Sequence, residues 1–312
     1  MKFKKPNFWD KKNAKILPYL FLPLSLFLWL INLTKKLVIK KEKYKDIKTI
    51  CIGNIYLGGT GKTSLSIKIN QILNTRKLKS CFIKKFYRNQ IDEQRILKNN
   101  GKLFLSSQRI IALREAENEK FEFAIFDDGL QDKSLEYDVS FVCFNNINFI
   151  GNGMTIPSGP LREPLNILKK YNNVFFNGNL ENIENLKEKK LKINPKINVH
   201  IGIYEPINLK EFSLKDNYFV FSGIGNHQTF VSMLKKHGFN ILKDTEFPDH
   251  YKYTKKNIDK ILNEANNLKC KVITTEKDFL RLENENMNKI KYIKSELKIS
   301  DEDKLIRVLF KR

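Results

Sequence analysis

An apolar strand, a glycine-rich loop and a helical pattern follow one another near the start of the chain, and this order restricts the folds open to it. The apolar run at 49–52 precedes a loop that carries the letters GGTGKT at 58–63. Apolar residues then recur on one helical face at Leu65, Ile69, Ile72 and Leu73. Strand, loop and helix in this order are the context that a phosphate-binding loop requires.

The loop residues have the chemistry that nucleotide phosphates need. Glycines let backbone N–H groups point inward around a phosphate, where a Cβ would obstruct the turn. Lys62 can reach the β- and γ-phosphates, and the Thr63 hydroxyl can ligate Mg²⁺. Tyr56 stands where the pattern G-x-x-x-x-G-K-[ST] has its first glycine, so the match is partial. The residues predicted to bind the nucleotide here are Gly58, Gly59, Thr60, Gly61, Lys62 and Thr63.

Two carboxylates follow a later apolar strand. Four apolar residues at 123–126 run into Asp127 and Asp128. An Asp pair alone is more often a turn or a helix cap. Adjacent carboxylates are costly unless a cation compensates them. The phosphate-binding loop upstream provides a reason for such a cation, because Mg²⁺ accompanies a bound nucleotide. We therefore predict a Mg²⁺ site formed by Thr63, Asp127 and Asp128.

A later tetrad bears on which nucleotide is bound. GTP-binding proteins carry an N/T-K-x-D tetrad after a late strand, and the nearest stretch here is TEKD at 275–278. Its lysine and aspartate are adjacent, which is the wrong spacing. The sequence therefore favours ATP over GTP, with Mg²⁺ as the accompanying cation.

The alternation of strands and helices predicts an α/β fold. Further apolar runs at 82–83, 139–144 and 174–176 indicate a P-loop NTPase-like domain with a mostly parallel sheet, assigned to residues 46–205. A polar stretch at 181–198 leads towards a second, smaller α/β domain at 206–312, which has strand patterns at 218–222 and 271–275.

Residues 1–45 are predicted to attach the chain to a membrane. The nineteen residues from Ile16 to Thr34 carry no charge, and as a helix they would span about 28 Å at about 1.5 Å per residue, against about 30 Å for a bilayer core. Pro23 would kink or break that helix. Lysines flank the run on both sides, which suits an anionic leaflet. Monotopic attachment is favoured over a single spanning helix, a signal peptide or a buried core helix.

Net charge permits several partners. The 312 residues include 57 Lys and Arg against 34 Asp and Glu, a formal charge of +23, which attracts phosphates, nucleic acid or an anionic membrane. No basic stripe with interleaved aromatic residues is found, so nucleic acid is not predicted. The four cysteines are far apart, which excludes a cysteine zinc ribbon. No obligate protein partner is predicted.

Several runs, taken together, resemble those of the tetraacyldisaccharide 4′-kinases of lipid A biosynthesis. They occur in family order across the whole chain. The runs are Gly53-Asn54 with GGTGKT at 58–63, DDGLQ at 127–131, GNGMTIPSGPLREPL at 151–165, SGIGN at 222–226, PDHY at 248–251 and TEKD at 275–278.

The resemblance implies a substrate and several residue roles. The family transfers the γ-phosphoryl group of ATP to the 4′-hydroxyl of a lipid-linked disaccharide 1-phosphate, at the cytoplasmic face of the inner membrane. Lys62 and Thr63 would serve the phosphates and Mg²⁺, and Gln131 would lie near the nucleotide. Arg162 would offset charge in the transition state.

The resemblance also implies a base for the acceptor hydroxyl. The family uses an Asp assisted by a His, and these align with Asp92 and His250. The predicted domain boundary places the two residues in different domains. A neighbouring carboxylate stabilises and orients an imidazolium, which makes the pairing physically reasonable. The alternatives are another membrane-associated P-loop ATPase or phosphotransferase and, less favoured, a basic nucleic-acid-binding protein.

Overall fold

The structure, a computed structural model, describes residues 6–10, 16–39, 41–87, 90–145, 149–178, 193–282 and 288–311. Most of the polar stretch predicted at 181–198 lies outside these residues, as do the lysines before residue 16. The α-helices in the described ranges are α1 (Leu17–Leu20), α2 (Leu22–Val38), α3 (Lys62–Thr75), α4 (Ile91–Asn100), α5 (Arg109–Asn118), α6 (His227–Lys236), α7 (Lys255–Asn267), α8 (Glu276–Phe279) and α9 (Glu302–Phe310).

The strands form two sheets. In chain order they are β1 (Lys48–Gly53), β2 (Ser80–Lys85), β3 (Leu103–Ser106), β4 (Phe123–Asp127), β5 (Val139–Asn145), β6 (Asn173–Asn177), β7 (Asn198–Pro206), β8 (Asn217–Ser222), β9 (Asn240–Glu246), β10 (Lys271–Thr275), β11 (Ile290–Ile293) and β12 (Ser295–Ile299). The larger sheet has the order β12-β7-β6-β5-β1-β4-β2-β3, and the smaller one has the order β11-β10-β8-β9.

The larger sheet confirms the predicted mostly parallel α/β fold. β1 pairs in parallel with both β4 and β5, and the pairs β2–β3, β2–β4, β5–β6 and β6–β7 are parallel as well. Residues 49–53 of β1 are buried, as expected of a central strand covered by helices on both faces. Because parallel strands end at the same edge, the loops after β1 and β4 lie close together.

The chain divides into two compact units. Unit 1 contains Met1–Phe86, Leu97–Gly202 and Ile299–Arg312, and unit 2 contains Tyr87–Ile96 and Ile203–Lys298. The main boundary falls at 202/203 instead of the predicted 205/206, and the division differs from the prediction in two further places. The first turns of α4 belong to unit 2, because Asp92 bonds to His250 and Arg281. The C-terminus belongs to unit 1, where the ring of Phe310 packs on Phe123 at 5.9 Å between centroids.

The smaller sheet of unit 2 confirms the predicted second α/β domain. All its strand pairs are parallel. Successive side chains of β8 point to opposite faces, so Tyr218 and Val220 pack in one hydrophobic cluster while Phe219 and Phe221 pack in another. α6 lies in the first cluster and α7 in the second, so that helices cover both faces of this sheet.

The uncharged N-terminal segment forms two helices with a proline in the first turn of each. α1 ends at Leu20 and α2 begins at Leu22, immediately before Pro23, because a proline ring cannot continue a helix. Ser25 is buried, and its hydroxyl donates to the carbonyl of Thr155 at 3.0 Å. Among the described residues, we find no helix with the length and apolar character needed to cross a bilayer. The N-terminal membrane helix stays a prediction.

Candidate active-site residues

The predicted phosphate-binding loop connects the end of β1 to the start of α3. Gly58 and Gly61 have φ angles of +149° and +79°, a region that side chains with a Cβ rarely adopt. A Cβ on Gly61 would also collide with the side-chain amide of Asn177. Both the backbone conformation and the lack of space therefore require glycine at position 61. The helix α3 begins at the next residue, Lys62.

Asn54 holds the loop in shape from within. Its side-chain amide donates to the carbonyl of Tyr56 at 2.6 Å and to the hydroxyl of Thr60 at 3.0 Å. From outside the loop, Gln131 donates to the carbonyl of Asn54 at 2.8 Å, and Asn145 donates to that of Gly59 at 3.2 Å. The Gln131 amide therefore contacts the loop backbone. No role was predicted for Asn54 or Asn145, although an asparagine directly after an apolar strand was a usable signal.

Asp127 lies where a carboxylate can serve a metal ion beside the loop. It ends β4, next to β1, and is fully buried. Its carboxylate accepts from the hydroxyls of Thr63 and Ser66, each at 3.3 Å. Hydroxyl and carboxylate oxygens are the ligands that Mg²⁺ prefers. Thr63 and Asp127 therefore fit a Mg²⁺ site, and Asp128, whose carboxylate contacts Lys62 and Arg162, stays a predicted ligand.

Lys84 is a buried lysine that the sequence analysis missed. It lies on β2, its side chain is 1% exposed, and its ammonium is 2.6 Å from Oδ2 of Asp127. A buried carboxylate needs a paired cation or hydrogen bonds, and Lys84 is the cation at Asp127. The available signal was a lysine continuing the apolar run Cys81–Ile83, where a strand end was the simpler interpretation.

Asp128 is surrounded by basic groups. It lies 3.7 Å from the ammonium of Lys62 and 3.4 Å from the guanidinium of Arg162, and Arg109 donates to its backbone carbonyl at 2.6 Å. Burial by itself raises the pKa of Asp128, but the positive charges of Lys62, Arg162, Lys84 and Arg109 hold that pKa well below its usual range. Asp128 is therefore ionised at neutral pH. Its carboxylate contacts both Lys62 of the loop and Arg162.

In unit 2 the structure brings Asp92 and His250 into direct contact. Nδ1 of His250 lies 3.1 Å and 3.2 Å from the two carboxylate oxygens of Asp92. Burial by itself lowers the pKa of His250, but the hydrogen bond that its Nδ1–H donates to Asp92 and the charges of Asp249, Asp92 and Glu93 raise that pKa above its ordinary value. His250 has a φ of +56°, in the left-handed region that few residues with a Cβ adopt.

The predicted site residues therefore fall into two groups. Unit 1 contains the loop, the acidic pair, Gln131 and Arg162, and unit 2 contains Asp92 and His250. The predicted boundaries assign Asp92 and His250 to different domains, whereas the division into compact units groups both in unit 2. Arg281, which bonds to Asp92, was not among the predicted site residues.

A glycine-rich loop between β1 and α3, with a buried aspartate at the end of β4 in a mostly parallel sheet, defines a P-loop nucleotide-binding protein. The family model described as tetraacyldisaccharide-1-P 4′-kinase matches residues 17–103 and 92–312. The chain belongs to this family.

Individual relatives agree over the full length. The chain is 56% identical to the tetraacyldisaccharide 4′-kinase of Pelagibacter ubique, over all of this chain and 98% of that protein. It is 31% identical to the tetraacyldisaccharide 4′-kinase of Rickettsia canadensis, over 98% of this chain and 97% of that protein. The crystal structure of LpxK from Aquifex aeolicus in complex with ATP aligns with a TM-score of 0.67 at 20% identity, over 94% of this chain and 98% of that chain. This likeness supports the fold.

Proposed function

We propose that this chain transfers the γ-phosphoryl group of ATP to the 4′-hydroxyl of tetraacyldisaccharide 1-phosphate in lipid A biosynthesis. The observation that carries the proposal is the Asp92–His250 contact in a chain that also has a phosphate-binding loop. A P-loop protein that only hydrolyses ATP has no need of a base for a sugar hydroxyl. The printed names of the relatives from Pelagibacter and Rickettsia support the same reaction.

The loop of unit 1 would hold ATP. Backbone N–H groups around Gly58 and Gly61 would surround the phosphates, and the Lys62 ammonium would bind the β- and γ-phosphates. Mg²⁺, held by Thr63 with Asp127 and Asp128, would neutralise charge on the phosphate oxygens. Arg162, 3.4 Å from Asp128, would offset the charge that spreads over the transferred group.

Asp92 and His250 would serve the acceptor. Burial by itself raises the pKa of Asp92, but hydrogen bonds and charge from His250 and Arg281 hold that pKa well below its usual range. Asp92 is therefore ionised at neutral pH and available to accept the proton of the attacking hydroxyl, as the catalytic-loop aspartate of protein kinases does. His250 would orient that carboxylate and share the proton.

The test is label transfer. Purified protein is incubated with [γ-³²P]ATP and the disaccharide 1-phosphate, and the lipid phase is counted. Lys62→Ala is expected to lower transfer at least about 10²-fold, because a charged contact to the phosphates is lost. Lys98→Ala, at an exposed position on α4, is the matched control and should transfer like the parent.

Two outcomes would contradict the proposal. Equal transfer by the parent and by Lys62→Ala would mean that the loop is not the phosphate site. Hydrolysis of ATP by the parent with no label in the lipid phase would favour the alternative of a P-loop ATPase.

We also propose that α1 and α2 attach the protein to the cytoplasmic face of the inner membrane, lying in the anionic leaflet. The exposed large side chains of these helices include Leu17, Tyr19, Leu20, Leu24, Leu26, Phe27, Trp29 and Leu30, and Ile16 directly before α1 is exposed as well. An apolar patch of this kind on a water-exposed surface marks an interaction site. Burial of one such side chain is worth about 1.5–3 kcal/mol, so several together give stable attachment.

Substituting two of these side chains is expected to release the protein from membranes. The variant Leu20→Glu/Phe27→Glu should lower the membrane-bound fraction after a carbonate wash at least about tenfold, because two apolar contacts are replaced by charge. Ile207→Glu/Leu214→Glu, at comparably exposed apolar positions of unit 2, is the control and should behave like the parent. Complete release of the parent by carbonate would contradict embedding.

A further inference from the structure

Arg281 is a nearly buried arginine that binds the carboxylate of Asp92. Its side chain is 10% exposed. Nη2 forms a short ion pair with Oδ2 of Asp92, and Nε lies 3.2 Å from the same oxygen. Two donors on one oxygen fix the position of Oδ2 against the guanidinium, and Nδ1 of His250, which contacts both carboxylate oxygens, completes the orientation. Nη2 also lies 3.4 Å from Nδ1 of His250, so that three charged groups meet at one point.

Arg281 is itself held from its other side. Nη1 donates to the carbonyl of Gly223 at 2.8 Å and to Oδ1 of Asp278 at 3.0 Å. Asp278 is fully buried and accepts from the hydroxyl of Tyr253 at 2.8 Å and from the backbone N–H of Gly223 at 2.9 Å. Every contact in this set lies within unit 2.

The arrangement explains a motif that the sequence analysis left without a role. Asp278 belongs to the TEKD run, which has the wrong spacing for a guanine tetrad and otherwise entered only as one of the runs of the family resemblance. Its second carboxylate oxygen accepts from the hydroxyl of Thr275 at 2.6 Å. The run therefore anchors Arg281, three residues further along the chain, rather than binding a base. Gly223 comes from the SGIGN run and His250 from the PDHY run, so the three runs converge on Asp92.

We propose that Arg281, anchored by Asp278, is a positioning residue for the reaction proposed above: it holds the Asp92 carboxylate in the orientation that binds His250 and limits the proton affinity of the Asp92–His250 pair. The inference rests on the proposed function. Arg281 touches neither the phosphates nor the reacting hydroxyl in this scheme, and it acts through Asp92.

The charges around His250 give the sign of the pH effect. Asp92 and Glu93 face it from α4, Asp249 from its own loop, and Arg281 from the segment after α8. Lys277 faces the same carboxylates, which raise its pKa although burial by itself lowers it. Arg281 repels a proton on His250 and competes with it for Asp92. Removing Arg281 therefore raises the pKa of the pair, and the acidic limb of kcat against pH moves to higher pH.

The variant Arg281→Met is expected to lower kcat about 10- to 100-fold through misplacement of Asp92, with KM for ATP unchanged. The acidic limb should move to higher pH. Arg281→Lys keeps the charge and loses the planar fork, so it should retain the pH profile while kcat stays low. Arg95→Met, at an exposed position on α4, is the matched control and should leave both quantities unchanged.

An NMR titration of the imidazoles gives a readout that does not need activity. The chain has four histidines, and His250→Gln identifies the His250 signal. The pKa of His250 should rise in Arg281→Met.

Normal kcat and pH profile in both Arg281 variants, or an unmoved His250 titration, would overturn the inference. If Arg281→Met does not fold, Arg281→Lys decides by the same kcat measurement. If the parent protein transfers no label, the proposed function is overturned. The titration then still reports whether Arg281 lowers the pKa of the Asp92–His250 pair.

Discussion

Replacing Asp92 by Asn is expected to lower kcat about 10³-fold, within the range of about 10²–10⁴ for loss of a general base. KM for ATP should change little, because the phosphate-binding loop lies in unit 1 and Asp92 in unit 2. Asn is nearly isosteric and can still contact His250 and Arg281, so the loss reports the missing charge and proton acceptor. Steady-state label transfer at saturating acceptor and varied ATP separates kcat from KM.

The controls for this prediction come from the same cluster. His250→Gln should cost less than Asp92→Asn, because His250 acts through the carboxylate. The double variant should be no worse than Asp92→Asn alone, since residues that act as a unit are not additive. Asp249→Asn changes a half-exposed carboxylate beside His250 and should retain most of kcat. Near-normal turnover in Asp92→Asn would exclude its role as the base.

Features set by local sequence were predictable. The loop follows β1 because an apolar run passes into glycines, and α3 follows because its apolar residues repeat on one face. The break before Pro23 follows from the geometry of the proline ring alone. The mostly parallel sheet follows from the alternation of strands and helices. None of these inferences needs a contact between residues distant in the chain.

Features set by long-range contacts were not predictable. Arg281 binds Asp92 across 189 residues of chain, and no spacing rule connects the two. The same contact groups residues 87–96 with unit 2. A boundary predicted from sequence could not include this contact, so it assigned Asp92 to the other domain. The Asp92–His250 pair was expected only through the family resemblance. Lys84 stayed unrecognised because the residue that it pairs with is on another strand, 43 positions away.

Lys84 has the largest expected effect on stability. We expect Lys84→Met to lower the free energy of unfolding by about 3–5 kcal/mol, the usual cost of leaving one partner of a buried ion pair uncompensated. Met fills nearly the same volume, so the loss reports charge rather than a cavity. Asp127 would retain the hydroxyls of Thr63 and Ser66, both at 3.3 Å, and these neutral donors do not replace a cation. Urea unfolding followed by circular dichroism measures the change.

A surface ion pair in unit 1 is the matched control for this prediction. Lys102 lies 2.9 Å from Glu119 with both side chains about half exposed, and such pairs contribute about 0–1 kcal/mol. Lys102→Met should therefore change the unfolding free energy little. The double variant Lys84→Met/Asp127→Leu should recover much of the stability lost in Lys84→Met, because replacing both partners of a buried pair by apolar groups is often neutral. A loss below about 1 kcal/mol in Lys84→Met, equal to that of the surface control, would show that Lys84 does not compensate Asp127.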